Sequence, residues 1–153
     1  MSYKKQIIRG SNITWTGNTI FPSYPSTSGS HVSQKRINRL KHLTKQILLQ
    51  EKNRIEQEFK TFALKRYRDT PVCVLVDIPG AVARVDNTVL CNKQDLYGES
   101  DGEKIWIAKE KMNDAYLLGT LLHEALHYAA TFNGRYVCEA DEHTVFRALG
   151  DDC

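Results

Sequence analysis

The sequence predicts an α+β domain in which a long N-terminal helix backs a small, largely antiparallel sheet and two further helices follow. Three observations carry this. Apolar residues recur at helical spacing across 33–67. Short β-rich runs separated by turn residues fill 72–109. An apolar, Pro-free stretch from Ala115 to Ala130 and an amphipathic one from Val137 to Leu149 come next.

Residues 1–32 read as an irregular arm, rich in Ser, Thr, Gly and Asn with Pro22 and Pro25. Trp15, Phe21 and Tyr24 give it apolar anchors, so part of it is expected to lie on the domain formed by residues 33–153. Ser33 is the cap of the long helix, whose core face is Ile37, Leu40, Leu43, Ile47, Leu48, Ile55, Phe59, Phe62 and Ala63. At 1.5 Å per residue it would be about 50 Å long, so it either spans the domain or kinks. His42 lies among its basic residues and is expected to be exposed.

Thr70-Pro71 ends that pattern, and Val72–Ile78 is expected as a strand. Pro79-Gly80 reads as a turn, Ala81–Val85 and Thr88–Cys91 as short strands, and Asn92–Glu103 as a polar loop. Lys104–Lys109 alternates with the period of a half-buried strand. The following helix has Asn113 and Asp114 as cap candidates, and the last helix stops at Gly150.

The chemistry concentrates in Leu121-Leu-His-Glu-Ala-Leu-His-Tyr128. His123, Glu124 and His127 form an H-E-x-x-H pattern. Positions i and i+4 share a helix face, so both imidazoles can reach one zinc ion. Glu124 projects beside that point, where a carboxylate can take a proton from a zinc-bound water. Two histidines and a glutamate in a core helix need compensation, and a metal supplies it.

A catalytic zinc needs a third protein ligand. With Glu142 at zero on a helical wheel, Cys138, Val145, Phe146 and Leu149 fall within about 60° on either side. Glu142 is therefore at the centre of the apolar stripe and is the first choice. Glu139, about 60° away, is second, and His143, about 100° away, is third.

This arrangement resembles a minimal gluzincin metallopeptidase, with His123-Glu124-Ala-Leu-His127 and a following helix that carries Glu142. The resemblance covers roughly residues 70–150. It implies a zincin-like fold, zinc held by His123, His127 and Glu142, and peptide-bond hydrolysis with Glu124 as general base. Ala130 and Asn133 stand where a metzincin would have its Gly and third His. The segment from Thr120 through Phe132 to His143 and Phe146 is also similar to SprT-like proteases. That resemblance implies His143 as third ligand and DNA-associated protein substrates. In either case Ile105–Ala108 is the candidate edge strand for pairing with a peptide substrate. Tyr128, Arg135 and Tyr136 are the candidate oxyanion donors.

Composition is that of a globular protein, with 41% hydrophobic and 25% charged residues. No apolar run of about 18 residues marks a membrane span, and no secretory signal is evident. The cysteines Cys73, Cys91, Cys138 and Cys153 lack C-x-x-C spacing, so they are expected as reduced thiols in a cytoplasmic protein. The net charge of +3 conceals an asymmetry: +11 over residues 1–68 and −8 over 69–153. The basic part, helix 35–68, could meet nucleic acid, or the two parts could attract each other. The rival to an enzyme is a non-catalytic, zinc-stabilised nucleic-acid-binding module.

Overall fold

The computed structural model describes residues 11, 13–15, 29–92 and 95–153. Phe21 and Tyr24 of the expected arm lie outside the described residues; Ile13 and Trp15 within it are buried.

The long helical pattern divides into α1 (Gln34–Gln50) and α2 (Lys52–Arg66), with Glu51 between them at φ −100° and ψ 16°. Ser33 caps α1 by accepting from the Arg36 N–H. No Pro or Gly sits at the bend. The two helices face different partners: α1 packs on the later helices α3 (Ile78–Asp86) and α4 (Asp114–Leu126), and α2 on strand β2 (Val74–Val76) and helix α5 (Glu139–Leu149). The bend lets one apolar stripe follow a curved core, which a straight rod of about 50 Å could not do.

Among the described residues, three small sheets replace the single sheet expected. β1 (Ser30–His31) pairs antiparallel with β6 (Lys111–Met112). β2 (Val74–Val76), β7 (Ala130–Phe132) and β8 (Arg135–Tyr136) form an antiparallel sheet with β7 in the middle. β3 (Thr88–Cys91), β5 (Ile105–Ala108) and β4 (Gly98–Ser100) form a mixed sheet in that order, with β3 parallel to β5 and β4 antiparallel to it. The segment expected as a polar loop therefore contains a strand. Ile105–Ala108 is a central strand, not an edge, because both its sides are taken by β3 and β4.

The turn and strand expected over 79–85 are instead helix α3 (Ile78–Asp86). Asp77 caps it by accepting from the Gly80 N–H at 2.9 Å, and Pro79 falls in the first turn, where its missing N–H costs nothing. A Cβ on Gly80 would come within 2.3 Å of the Asp77 carboxylate. Buried Ile78, Ala81 and Val85 then recur at helical spacing.

Helix α4 (Asp114–Leu126) runs through the core against α1, and α5 (Glu139–Leu149) follows it. Asp114 at its start is buried and paired with Arg36 at 2.8 Å and Arg39 at 2.5 Å. Arg36 also donates to the carbonyls of Ser30, His31 and Met112, so one guanidinium ties α1, the β1–β6 ladder and α4 together. Lys45 pairs with Asp86 and Lys41 donates to the Asp86 carbonyl. Much of the basic face of α1 is thus engaged by acceptors within the chain. The exposed cations Lys52, Arg54, Lys60, Lys65, Arg66 and Arg68 belong to α2 and the turn after it. No helix among the described residues is long and apolar enough to cross a membrane.

Removing the Asp114 carboxylate leaves two guanidinium groups facing a buried gap. Asp114→Ala is expected to lower stability by about 2–3 kcal/mol in a urea titration. That is below the usual cost of breaking a buried pair because both arginines are partly exposed.

Candidate metal centre

Asn113 caps α4 by accepting from the Tyr116 N–H at 2.7 Å. The helix ends at Leu126, short of the expected Ala130. His127 is its C-cap, with ψ at 136°, and Tyr128 has a φ of 65°. The left-handed Tyr128 turns the chain toward β7 while the His127 N–H still bonds the His123 carbonyl at 3.3 Å. The i, i+4 relation therefore survives. The two motif Nε2 atoms are 3.0 Å apart.

His143, on α5, completes the group. Its Nε2 lies 3.4 Å from that of His127. Phe146, one turn further on, lies under all three imidazoles at centroid distances of 5.0, 5.1 and 5.9 Å. Nitrogen ligands at about 2.0–2.1 Å in a tetrahedral site are about 3.3–3.4 Å from one another. The His127–His143 spacing matches that value and the His123–His127 spacing is somewhat shorter; the three histidines are one of the groups able to hold a metal ion.

Glu142, expected to face the metal position, is placed elsewhere. It is buried, as the helical wheel requires. Its Oε1 accepts from His127 Nδ1 at 2.8 Å and its Oε2 from the Tyr128 N–H at 3.0 Å. Both oxygens are occupied behind the ring, and the neighbouring position, about 100° round the helix, points its imidazole at the other two. Glu139 has a 77% exposed side chain and stands at the rim, 3.8 Å from His143 Nε2. Cys138 is exposed at the N-cap of α5.

A second carboxylate, which the sequence did not single out, does the same for His123. Gly150 ends α5 at φ 111° and turns the chain back. Asp151 Oδ2 then sits 2.5 Å from His123 Nδ1. With Nδ1–H donating to a carboxylate in each motif histidine, the Nε2 lone pairs face the common point. Asp151 is held below the ordinary carboxylate range: burial alone would raise it, but hydrogen bonds to His123, Trp15 and Cys153 and the charge of His123 together outweigh this. His127 is raised: burial pulls it down, and the bond to Glu142 together with the charges of Glu142, Glu124 and Glu139 overrides that. His143 is lowered by burial and by the two neighbouring imidazoles.

Glu124 is buried, with Oε2 4.0 Å from His123 Nε2. Burial raises its carboxyl above the usual range, against the opposing pull of His123 and His127. Strand β4 crosses closely here, for a Cβ on Gly98 would lie 3.1 Å from Glu124 Cγ and 2.9 Å from Thr120 Cγ2. The edge strand beside the site is therefore β4. A cavity of about 190 Å³ between Gly98, Tyr116 and Thr120 opens onto His123 and Glu124. Of the candidate oxyanion donors, Tyr128 and Tyr136 meet edge to face at 5.4 Å and line one cavity, and the Tyr128 ring is 6.5 Å from that of His127. Arg135 precedes Tyr136 on β8 and so points to the opposite face of that strand.

Two outcomes are expected from this geometry. His143→Ala should weaken zinc binding far more than Glu142→Ala or Asp151→Ala, whose loss costs about 10–100-fold; competition with a chromogenic chelator ranks the three. Protons should also compete with the metal. Because Glu142 raises His127, its imidazolium forms at a higher pH than that of an ordinary histidine, and zinc affinity should drop as pH falls through that range. In Glu142→Gln the fall should begin at lower pH, which the same competition measured across a pH series will show.

No family model, curated protein or solved structure matches this chain, so the reading of the site rests on its own geometry.

Proposed function

We propose that the chain is a zinc-dependent peptidase that hydrolyses peptide bonds in protein or peptide substrates, with His123, His127 and His143 as metal ligands and Glu124 as general base. The observation that carries the proposal is the convergence of three Nε2 atoms beside a buried glutamate that takes no part in the convergence. A purely structural site has no use for that glutamate. A bound zinc would act as a Lewis acid, polarising the scissile carbonyl and making water acidic.

The protein's own groups do the rest. Asp151 and Glu142 fix the ring orientation of His123 and His127. Glu124 accepts the proton of the attacking water and returns it to the leaving amine. Its raised basicity comes from burial under β4. Strand β4 is the edge against which an extended substrate would lie, and Tyr128 and Tyr136 are the better placed of the three oxyanion donors.

The place of His143 favours the SprT-like resemblance over the gluzincin-like one, in which Glu142 would be the ligand. DNA association, which the SprT-like reading implies, would fall to the exposed cations of α2. Glu124→Gln is expected to keep stoichiometric zinc by elemental analysis and to lose peptide hydrolysis by about 10²–10⁴-fold in a casein or peptide-library assay. Equal turnover by both proteins would overturn the assignment of the base.

A further inference from the structure

Helix α3, which packs on α4, brings Arg84 against the carbonyl of Ala125, to which Nη2 donates at 3.1 Å. Ala125 lies between Glu124 and His127. Arg84 is 5% exposed, and its Nε is buried without a hydrogen-bond partner. A guanidinium offers five N–H donors, and this one meets one protein acceptor among the described residues. No carboxylate of the described residues reaches it at ion-pair distance; Asp77 and Glu142 act on it only from further off. A buried cation left this bare is costly unless something else completes it.

Arg84 lines a cavity of about 600 Å³. Val76 and Ala83 contribute apolar wall, and the edge-to-face pair Tyr128 and Tyr136 forms one side; the Tyr128 ring lies 6.5 Å from that of His127. Asp77 and Glu103 also border it, but both are exposed, and Asp77 is tied to the Gly80 N–H as the cap of α3. The charge left without a partner inside the cavity is positive.

We propose that this cavity is a substrate subsite in which Arg84 receives a carboxylate, from either an acidic side chain or the C-terminus of the peptide. The proposal rests on the peptidase reading above, and it adds a substrate class to it. Arg suits the task because its planar fork can bond both carboxylate oxygens.

The test uses two peptide pairs that differ by one charge: acetyl-trialanine as free acid and as amide, and acetyl-Ala-Glu-Ala-amide with its Gln counterpart. Binding is measured by calorimetry on the zinc-loaded Glu124→Gln protein and on zinc-free wild type, so turnover does not enter. The acid of at least one pair should bind about tenfold more tightly than its neutral partner. The pair that shows the preference identifies the source of the carboxylate. In Arg84→Gln the preference should vanish, and Arg84→Lys should keep part of it. Should those variants fail to fold, the Arg84 Nε–H resonance of the wild type must shift with the acid and not with its neutral partner. Equal binding within both pairs, a preference that survives Arg84→Gln, or an unmoved resonance would overturn the proposal. A preference without hydrolysis of any peptide would sink the peptidase reading and leave the carboxylate site standing; hydrolysis without a preference would do the reverse.

Discussion

A helix buried on most of its surface cannot carry unpaired imidazoles, and that constraint organises the C-terminal half of this molecule. Helix α4 places His123, Glu124 and His127 in or beside the core. Everything packed against that face answers them. Glu142 and His143 come from α5, Asp151 from the chain beyond it, and Phe146 supplies the apolar floor. The two carboxylate–imidazole contacts hold the ring nitrogens in one orientation, so the three-nitrogen cluster is organised before any metal arrives. The cost of desolvating polar groups is met by local pairing, and the pairing is what makes the cluster chemically competent.

The N-terminal half acts at a distance. Arg36 and Arg39 fix the first turn of α4 through Asp114, and thereby set the rotation of the helix that presents the motif a few turns later. The excess of positive charge in the first half and of negative charge in the second is thus partly met inside the chain. In the same way α3, held by its Asp77 cap, delivers Arg84 to the last turn of α4. Helices α1 and α3, both packed on α4, contribute cations to its two ends.

Periodicity and motif spacing read the helices well, because apolar residues at a 3.6-residue repeat leave few alternatives. They also located the buried position of Glu142. They did not reveal what Glu142 touches, since burial on a wheel says nothing of whether a carboxylate meets a metal or the back of an imidazole. Asp151 carried no signal, being an acid just past a helix stop whose role depends on the fold-back at Gly150. Pro79-Gly80 punctuates as a turn does, so the local pattern predicts a turn and a strand where the Asp77 cap starts helix α3. Strand β4 was too short and too polar to stand out, and the central place of Ile105–Ala108 follows from a parallel pairing with β3 that no local pattern encodes.

The adjacency of Glu142 and His143 has a consequence for how such sites diversify. One residue of α5 sits behind His127 and the next sits beside it, separated by a single step of about 100°. A one-residue insertion at the start of α5 would bring Glu142 to the station of His143 and Asp141 to that of Glu142, and would turn a three-nitrogen donor set into one with two nitrogens and an oxygen. Two kinds of metal site that are ordinarily distinguished by their third donor are, on this helix, neighbouring registers of the same sequence.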